Sequence, residues 1–121
     1  MKTILLIDDE AELRENLAEI LAFEDYQVFE AKDGFEGFEK AQTLQPDLIL
    51  CDIAMPGIDG FELLKRLRHT ASTATIPIIM VTARAEPSAV QQGITLGANG
   101  YIKKPFDIDE ALLMIRQYLY P

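Results

Sequence analysis

The sequence is poor in the residues that build several common kinds of site. A single cysteine, Cys51, among 121 residues excludes an internal disulfide, and with one histidine, His69, no Cys/His spacing marks a zinc centre. Cys51 lies in an apolar run and reads as a core side chain; His69 reads as a solvated one. Basic residues are scarce, 11 against 20 acidic, for a net charge of -9. Such a field repels polyanions, so direct nucleic-acid binding is not expected. No apolar run approaches the ~18 residues needed to cross a bilayer. The opening apolar stretch ends at once in Asp8-Asp9-Glu10 with no small-residue cleavage site. It reads as a strand rather than a leader, and the expected location is the cytoplasm. No repeat or low-complexity stretch occurs. A hydrophobic fraction of 49% with 26% charged residues excludes wholesale disorder, and the length suits one domain over residues 1–121.

What is present is an alternation of short apolar runs with amphipathic segments. Ile4–Ile7, Asp47–Cys51 and Ile76–Val81 are continuous and rich in Ile, Leu and Val, as strands buried on both faces should be. Gln27–Ala31 and Gly100–Lys103 are weaker strand candidates. Leu13, Leu17, Ile20 and Leu21 keep helical spacing, as do Phe61, Leu64 and Leu67, and Ile108, Leu112, Ile115 and Leu119. Five strands and five helices in strict alternation imply right-handed crossovers, hence an α/β doubly wound domain: a parallel sheet with helices on both faces.

Acidic residues also punctuate the helix starts. Asp9 with Glu12, Asp33 with Glu36, Asp59 with Glu62 and Asp107 with Glu110 each have the spacing of a capping box, the aspartate accepting from orphan N–H groups and the glutamate reaching back. The fourth helix has Pro87 in its first turn instead.

In a parallel sheet all strands point the same way. Asp8 and Asp9 after the first strand, Asp52 at the end of the third, Thr82 at the end of the fourth and Lys104 after the fifth therefore gather at one edge. Ligands of open α/β sheets bind outside the carboxyl ends of the strands. Singly, each residue has an ordinary reading: Asp9 as a cap, Asp52 as a turn opener, Thr82 as a β-branched strand residue, Lys104 as a surface lysine. Together they place three mutually repelling carboxylates in one place, which needs a counter-charge. Mg²⁺, a hard cation that takes oxygen ligands and keeps several waters, suits such a set. A carboxylate beside it can act as a nucleophile toward phosphorus, with the Lys104 ammonium and the Thr82 hydroxyl stabilising charge on the phosphoryl oxygens.

These residues stand in motifs. Leu5-Leu6-Ile7-Asp8-Asp9-Glu10, Asp52-Ile53-Ala54-Met55-Pro56-Gly57-Ile58-Asp59-Gly60, Val81-Thr82-Ala83 and Tyr101-Ile102-Lys103-Lys104-Pro105-Phe106 resemble, in order and spacing along the whole chain, the receiver domains of two-component response regulators. The resemblance implies a (βα)₅ flavodoxin-like fold with strand order 2-1-3-4-5 and phosphorylation of Asp52 by a sensor histidine kinase or a phosphotransfer protein. It implies Mg²⁺ at Asp8, Asp9, Asp52 and the backbone carbonyl of Ala54. It assigns Thr82 and Lys104 to the phosphoryl oxygens, Thr82 and Tyr101 to the switch, and a cis bond to Lys104–Pro105. Lys103 competes with Lys104 on residue type alone, since alternation along a strand lets only one face the pocket; the family pattern favours the lysine directly before proline. Ala54 and Arg84 occupy positions that influence phosphate lifetime in the family.

Other readings stand beside this one. A haloacid-dehalogenase-type phosphatase would use Asp8 as nucleophile, but offers only Glu10 two residues on. A flavin carrier would need a phosphate cradle where Asp8-Asp9-Glu10 would repel one. A degenerate receiver would act as an unphosphorylated interaction module. Output is expected through a downstream protein target, an effector domain in a longer chain, or a phosphorylation-dependent homodimer; no membrane contact is expected.

Overall fold

The computed structural model describes residues 1–121. Its elements in chain order are β1 (Thr3–Ile7), α1 (Ala11–Phe23), β2 (Gln27–Ala31), α2 (Gly34–Leu44), β3 (Leu48–Cys51), α3 (Gly60–Arg68), β4 (Ile78–Thr82), α4 (Pro87–Leu96), β5 (Gly100–Lys103) and α5 (Ile108–Leu119). All strand pairs are parallel, and the sheet order is β2-β1-β3-β4-β5. The (βα)₅ architecture and strand order implied by the motifs are those observed. No helix is long and apolar enough to cross a membrane.

Period-two alternation along the central strands divides the core. Leu5, Ile7, Ile49, Cys51, Ile78 and Met80 face α2, α3 and α4. The interleaved Ile4, Leu6, Leu48, Leu50, Ile79 and Val81 face α1 and α5. Because both faces are covered, β1, β3 and β4 read as unbroken apolar runs. Strand ends shift from the sequence-based bounds: β3 begins at Leu48 rather than Asp47, and β4 spans Ile78–Thr82 rather than Ile76–Val81. Asp47, just before β3, stays tied to β1: its N–H donates to the Thr3 carbonyl and its carboxylate accepts from the Thr3 N–H, both at 2.8 Å. Ile20 is 39% exposed, outside the buried stripe it was expected to join, while its neighbour Leu21 is fully buried.

The caps depart in detail from the D-x-x-E expectation. Asp33 accepts from the Glu36 N–H and Asp59 from the Glu62 N–H, but Glu36 reaches back to Lys32 rather than to Asp33. Asp107 accepts from Asp109 instead of Glu110. At α1 the N-cap is Glu10, without a side-chain cap bond, so Asp9 is not a cap. The Asp8 carboxylate takes the Glu10 N–H at 2.9 Å instead, an Asx-type bond two residues forward. Pro87 does open α4.

Candidate functional site

The order 2-1-3-4-5 reverses direction at β1, and the crevice at such a reversal lies beyond the carboxyl ends of β1 and β3. Asp8 follows β1 and Asp52 follows β3. The backbones at these ends are joined, since the Asp52 N–H donates to the Ile7 carbonyl at 3.0 Å. Asp8 and Asp52 are 9% and 6% exposed, so each charged carboxylate needs partners.

Both carboxylates find them. One Asp52 oxygen, Oδ1, accepts from the Ile53 N–H at 2.7 Å and more weakly from the Ala54 N–H at 3.4 Å. The other, Oδ2, accepts from Lys104 Nζ at 3.0 Å. The same ammonium reaches Asp8 Oδ2 at 2.8 Å, so a single cation bridges the two acids. Burial disfavours the charged lysine, but the hydrogen bonds and charges of Asp8 and Asp52 outweigh it and raise its pKa above the ordinary value. Lys103 is exposed; of the two candidate lysines, Lys104 faces the acids. The Lys104–Pro105 bond is cis, and the Lys104 N–H donates to the Thr82 carbonyl at 2.9 Å.

Carboxylate oxygens of Asp8, Glu10 and Asp52 lie within 4.8 Å of one another. Glu10, exposed like its neighbour Asp9, supplies the third acid of this group. Asp8 and Glu10 are joined across the bend at Asp9, the Asp8 carboxylate accepting from the Glu10 N–H at 2.9 Å. Glu10 stands two residues after Asp8 in the sequence, while the motif resemblance assigns the metal to Asp9. Three carboxylates against one ammonium leave two negative charges uncompensated, and an all-oxygen donor set of this charge fits a hard divalent cation. Asp8, Glu10 and Asp52 could therefore hold a metal ion.

Thr82 is 1% exposed, and its Oγ accepts from the Arg84 N–H at 3.2 Å, which leaves the hydroxyl proton free to donate. The Tyr101 hydroxyl donates to the Arg84 carbonyl at 2.6 Å. Residues 82–84 are thus tied at both ends, to the crevice through Thr82 and to β5 through Tyr101. Burial, then the Glu86 charge, push the Tyr101 pKa up, so the phenol stays a donor. The Arg84 guanidinium lies 5.8 Å over the Phe61 ring and pairs with Glu86 at 3.1 Å. Below the acids lies a cavity of about 20 Å³ lined by Leu6, Leu50, Val81 and Phe106 among others, room for little more than one water. Cys51 packs there, its thiol donating to the Asp52 carbonyl and pushed up in pKa by burial and then by Asp52. His69 is exposed at the C-terminal end of α3, its ring against the Lys65 carbonyl.

Comparison with known proteins agrees with this geometry. The response regulator receiver domain family matches residues 4–116. The chain is 40% identical over 119 residues to the DNA-binding dual master transcriptional regulator RpaA of Synechocystis, covering 98% of this chain and 49% of that protein. It is 38% identical over 116 residues to sporulation initiation phosphotransferase F of Bacillus subtilis, covering 96% and 92%. The chain spans about half the length of RpaA and of similar regulators such as PhoB of Pseudomonas aeruginosa, 52%, but nearly all of the phosphotransferase. Among solved structures, chemotaxis protein CheY4 of Vibrio cholerae superposes with a TM-score of 0.93 at 34% identity, over 98% of this chain and 99% of that one. With family motifs, sheet order and crevice in agreement, this chain belongs to the response regulator receiver domains of two-component signal transduction.

Proposed function

We propose that Asp52 accepts a phosphoryl group from a sensor histidine kinase or a phosphotransfer protein, and that the chain catalyses both this transfer and its own dephosphorylation. The observation that carries the reading is the bridge from Lys104 to Asp8 and Asp52 at the strand-order reversal. In the transfer an Asp52 oxygen forms a bond to phosphorus as the phosphorus–nitrogen bond of a phosphohistidine breaks, the electron pair leaving with the imidazole. Lys104, against Oδ2, is placed to meet the negative charge of the incoming phosphoryl oxygens. Thr82, with its free hydroxyl proton, donates to another phosphoryl oxygen.

Asp8, Asp52 and the Ala54 carbonyl, with Asp9 or Glu10 from the same turn, would hold Mg²⁺. When bound, this ion neutralises the acids and the incoming phosphoryl oxygens. After transfer, the draw on Thr82 loosens the Arg84 turn, and Tyr101 repacks on the face formed by α4, β5 and α5. That face would alter affinity for a downstream partner, an effector domain or a second copy of the chain. The cytoplasm is the location this reading proposes.

The test is labelling with acetyl phosphate, in which the breaking bond is phosphorus–oxygen and acetate leaves. Intact mass and peptide mapping should show one Mg²⁺-dependent phosphoryl group on Asp52, absent from Asp52→Asn. A label on Asp8 or on a hydroxyl overturns the assignment.

A further inference from the structure

We propose that Arg14 is a positioning residue for the acid cluster, acting through the backbone of Asp8; the proposal rests on the Mg²⁺ reading above. Arg14 is the only basic residue of α1. Its side chain is 13% exposed and touches neither Asp52 nor Lys104 by hydrogen bond. Two of its N–H groups are committed: Nη1 donates to the Asp8 carbonyl at 2.7 Å, and Nε donates to the Glu30 carboxylate at 2.9 Å.

The consequence follows from what holds Asp8. Its N–H donates to the Ala31 carbonyl at 3.1 Å, so the peptide unit before its Cα is fixed by β2. The peptide unit after its Cα has its carbonyl held by Arg14, itself anchored on β2 by Glu30, beside the bond from the Glu10 N–H to the Asp8 carboxylate. The Lys40 ammonium of α2 in turn grips the Glu30 carbonyl. Neighbouring residues at the end of β2 thus clamp both soft dihedrals of Asp8. Those dihedrals set where the Asp8 carboxylate points, and where the chain carries Asp9 and Glu10. Without the clamp the carbonyl can rotate, and ordering the acids around a cation costs conformational entropy.

Arginine suits this task and lysine does not. The two acceptors lie in different directions, which a planar guanidinium can serve together and an ammonium on a flexible stem serves poorly. Partners that orient metal ligands typically contribute 10–100-fold to metal affinity.

The experiment is a calorimetric titration with Mg²⁺ alone on the parent, Arg14→Lys, Arg14→Ala and Glu30→Gln, with melting in EDTA measured for each. Arg14→Lys should remain folded and bind Mg²⁺ about tenfold more weakly. Glu30→Gln, which keeps an acceptor of the same shape, should shift affinity in the same direction by less. An Arg14→Lys chain that binds Mg²⁺ as tightly as the parent overturns the proposal, even if it melts lower in EDTA, because that pattern belongs to a purely structural arginine. A parent that binds no Mg²⁺ overturns the metal reading itself, and this inference with it. If Arg14→Ala fails to fold, the lysine and Glu30→Gln arms still decide.

Discussion

Replacing Lys104 with methionine removes the only cation between Asp8 and Asp52 while keeping most of the side-chain length. The three side chains are 12%, 12% and 7% exposed, so water screens them weakly. Carboxylate oxygens within 4.8 Å of each other repel by about 3 kcal/mol at an effective dielectric near 20. Loss of one partner from a buried ionic group costs a similar amount, about 3–5 kcal/mol. For a domain of this size that predicts a melting temperature lower by roughly 12–20 °C in EDTA at neutral pH. Thermal melts by circular dichroism on the parent, Lys104→Met, Asp52→Asn and the double variant test the origin of the loss. Adding Asp52→Asn should raise the melting temperature much more in the Lys104→Met background than in the parent, because it removes one of the two repelling charges. Mg²⁺ should restore more stability to Lys104→Met than to the parent. Equal effects of Asp52→Asn in both backgrounds, or a Lys104→Met chain as stable as the parent in EDTA, would refute the reasoning. The alkaline limb provides a second readout. Because folding raises the Lys104 pKa above the ordinary 10.5, its contribution is full below that value and is lost as pH climbs through the elevated folded value. The parent should lose stability in that window more steeply than Lys104→Met.

Three further outcomes follow from the geometry. Titration with Mg²⁺ should separate the two candidate third acids: Glu10→Gln is expected to weaken binding more than Asp9→Asn if the observed cluster is the ligand set, and the reverse order would assign the role to Asp9. Gly60→Ala should destabilise by about 3 kcal/mol or more, since its Cβ would lie 2.2 Å from the Asp52 carbonyl and 2.7 Å from the Ile53 Cα, backbone that cannot yield. Gly100→Ala, facing the flexible Met114 and Tyr118 side chains at 3.2 Å or more, should cost less, and urea denaturation of both checks the contrast. Tyr101→Trp, in a chain with no tryptophan, should change fluorescence when beryllofluoride stands in for the phosphoryl group, and added Thr82→Ala should suppress most of that change. Unchanged fluorescence with beryllofluoride demonstrably bound rules out the Thr82–Tyr101 coupling.

Fold class, strand order and the convergence of Asp8, Asp52, Thr82 and Lys104 were legible in the sequence. Two-sided burial writes β1, β3 and β4 as apolar runs, helical stripes separate them, and the direction common to parallel strands brings every strand end to one edge. The motifs added the order 2-1-3-4-5, which periodicity alone does not specify. Local hydrogen-bond choice was not legible. Asp9 and Glu12 have the spacing of a capping box, yet α1 begins from Glu10 as its N-cap, whose N–H the Asp8 carboxylate two residues upstream accepts. Which of two adjacent lysines faces the acids, and the anchoring of the Arg14 that holds the Asp8 carbonyl, were decided by tertiary structure. Those contacts tie Arg14 of α1 to Glu30 of β2, and Lys104 after β5 to Asp8 and Asp52, across 16 to 96 residues of chain. A sequence pattern reports the period of burial along a segment; the direction of a single polar side chain depends on which distant partner the finished sheet sets beside it.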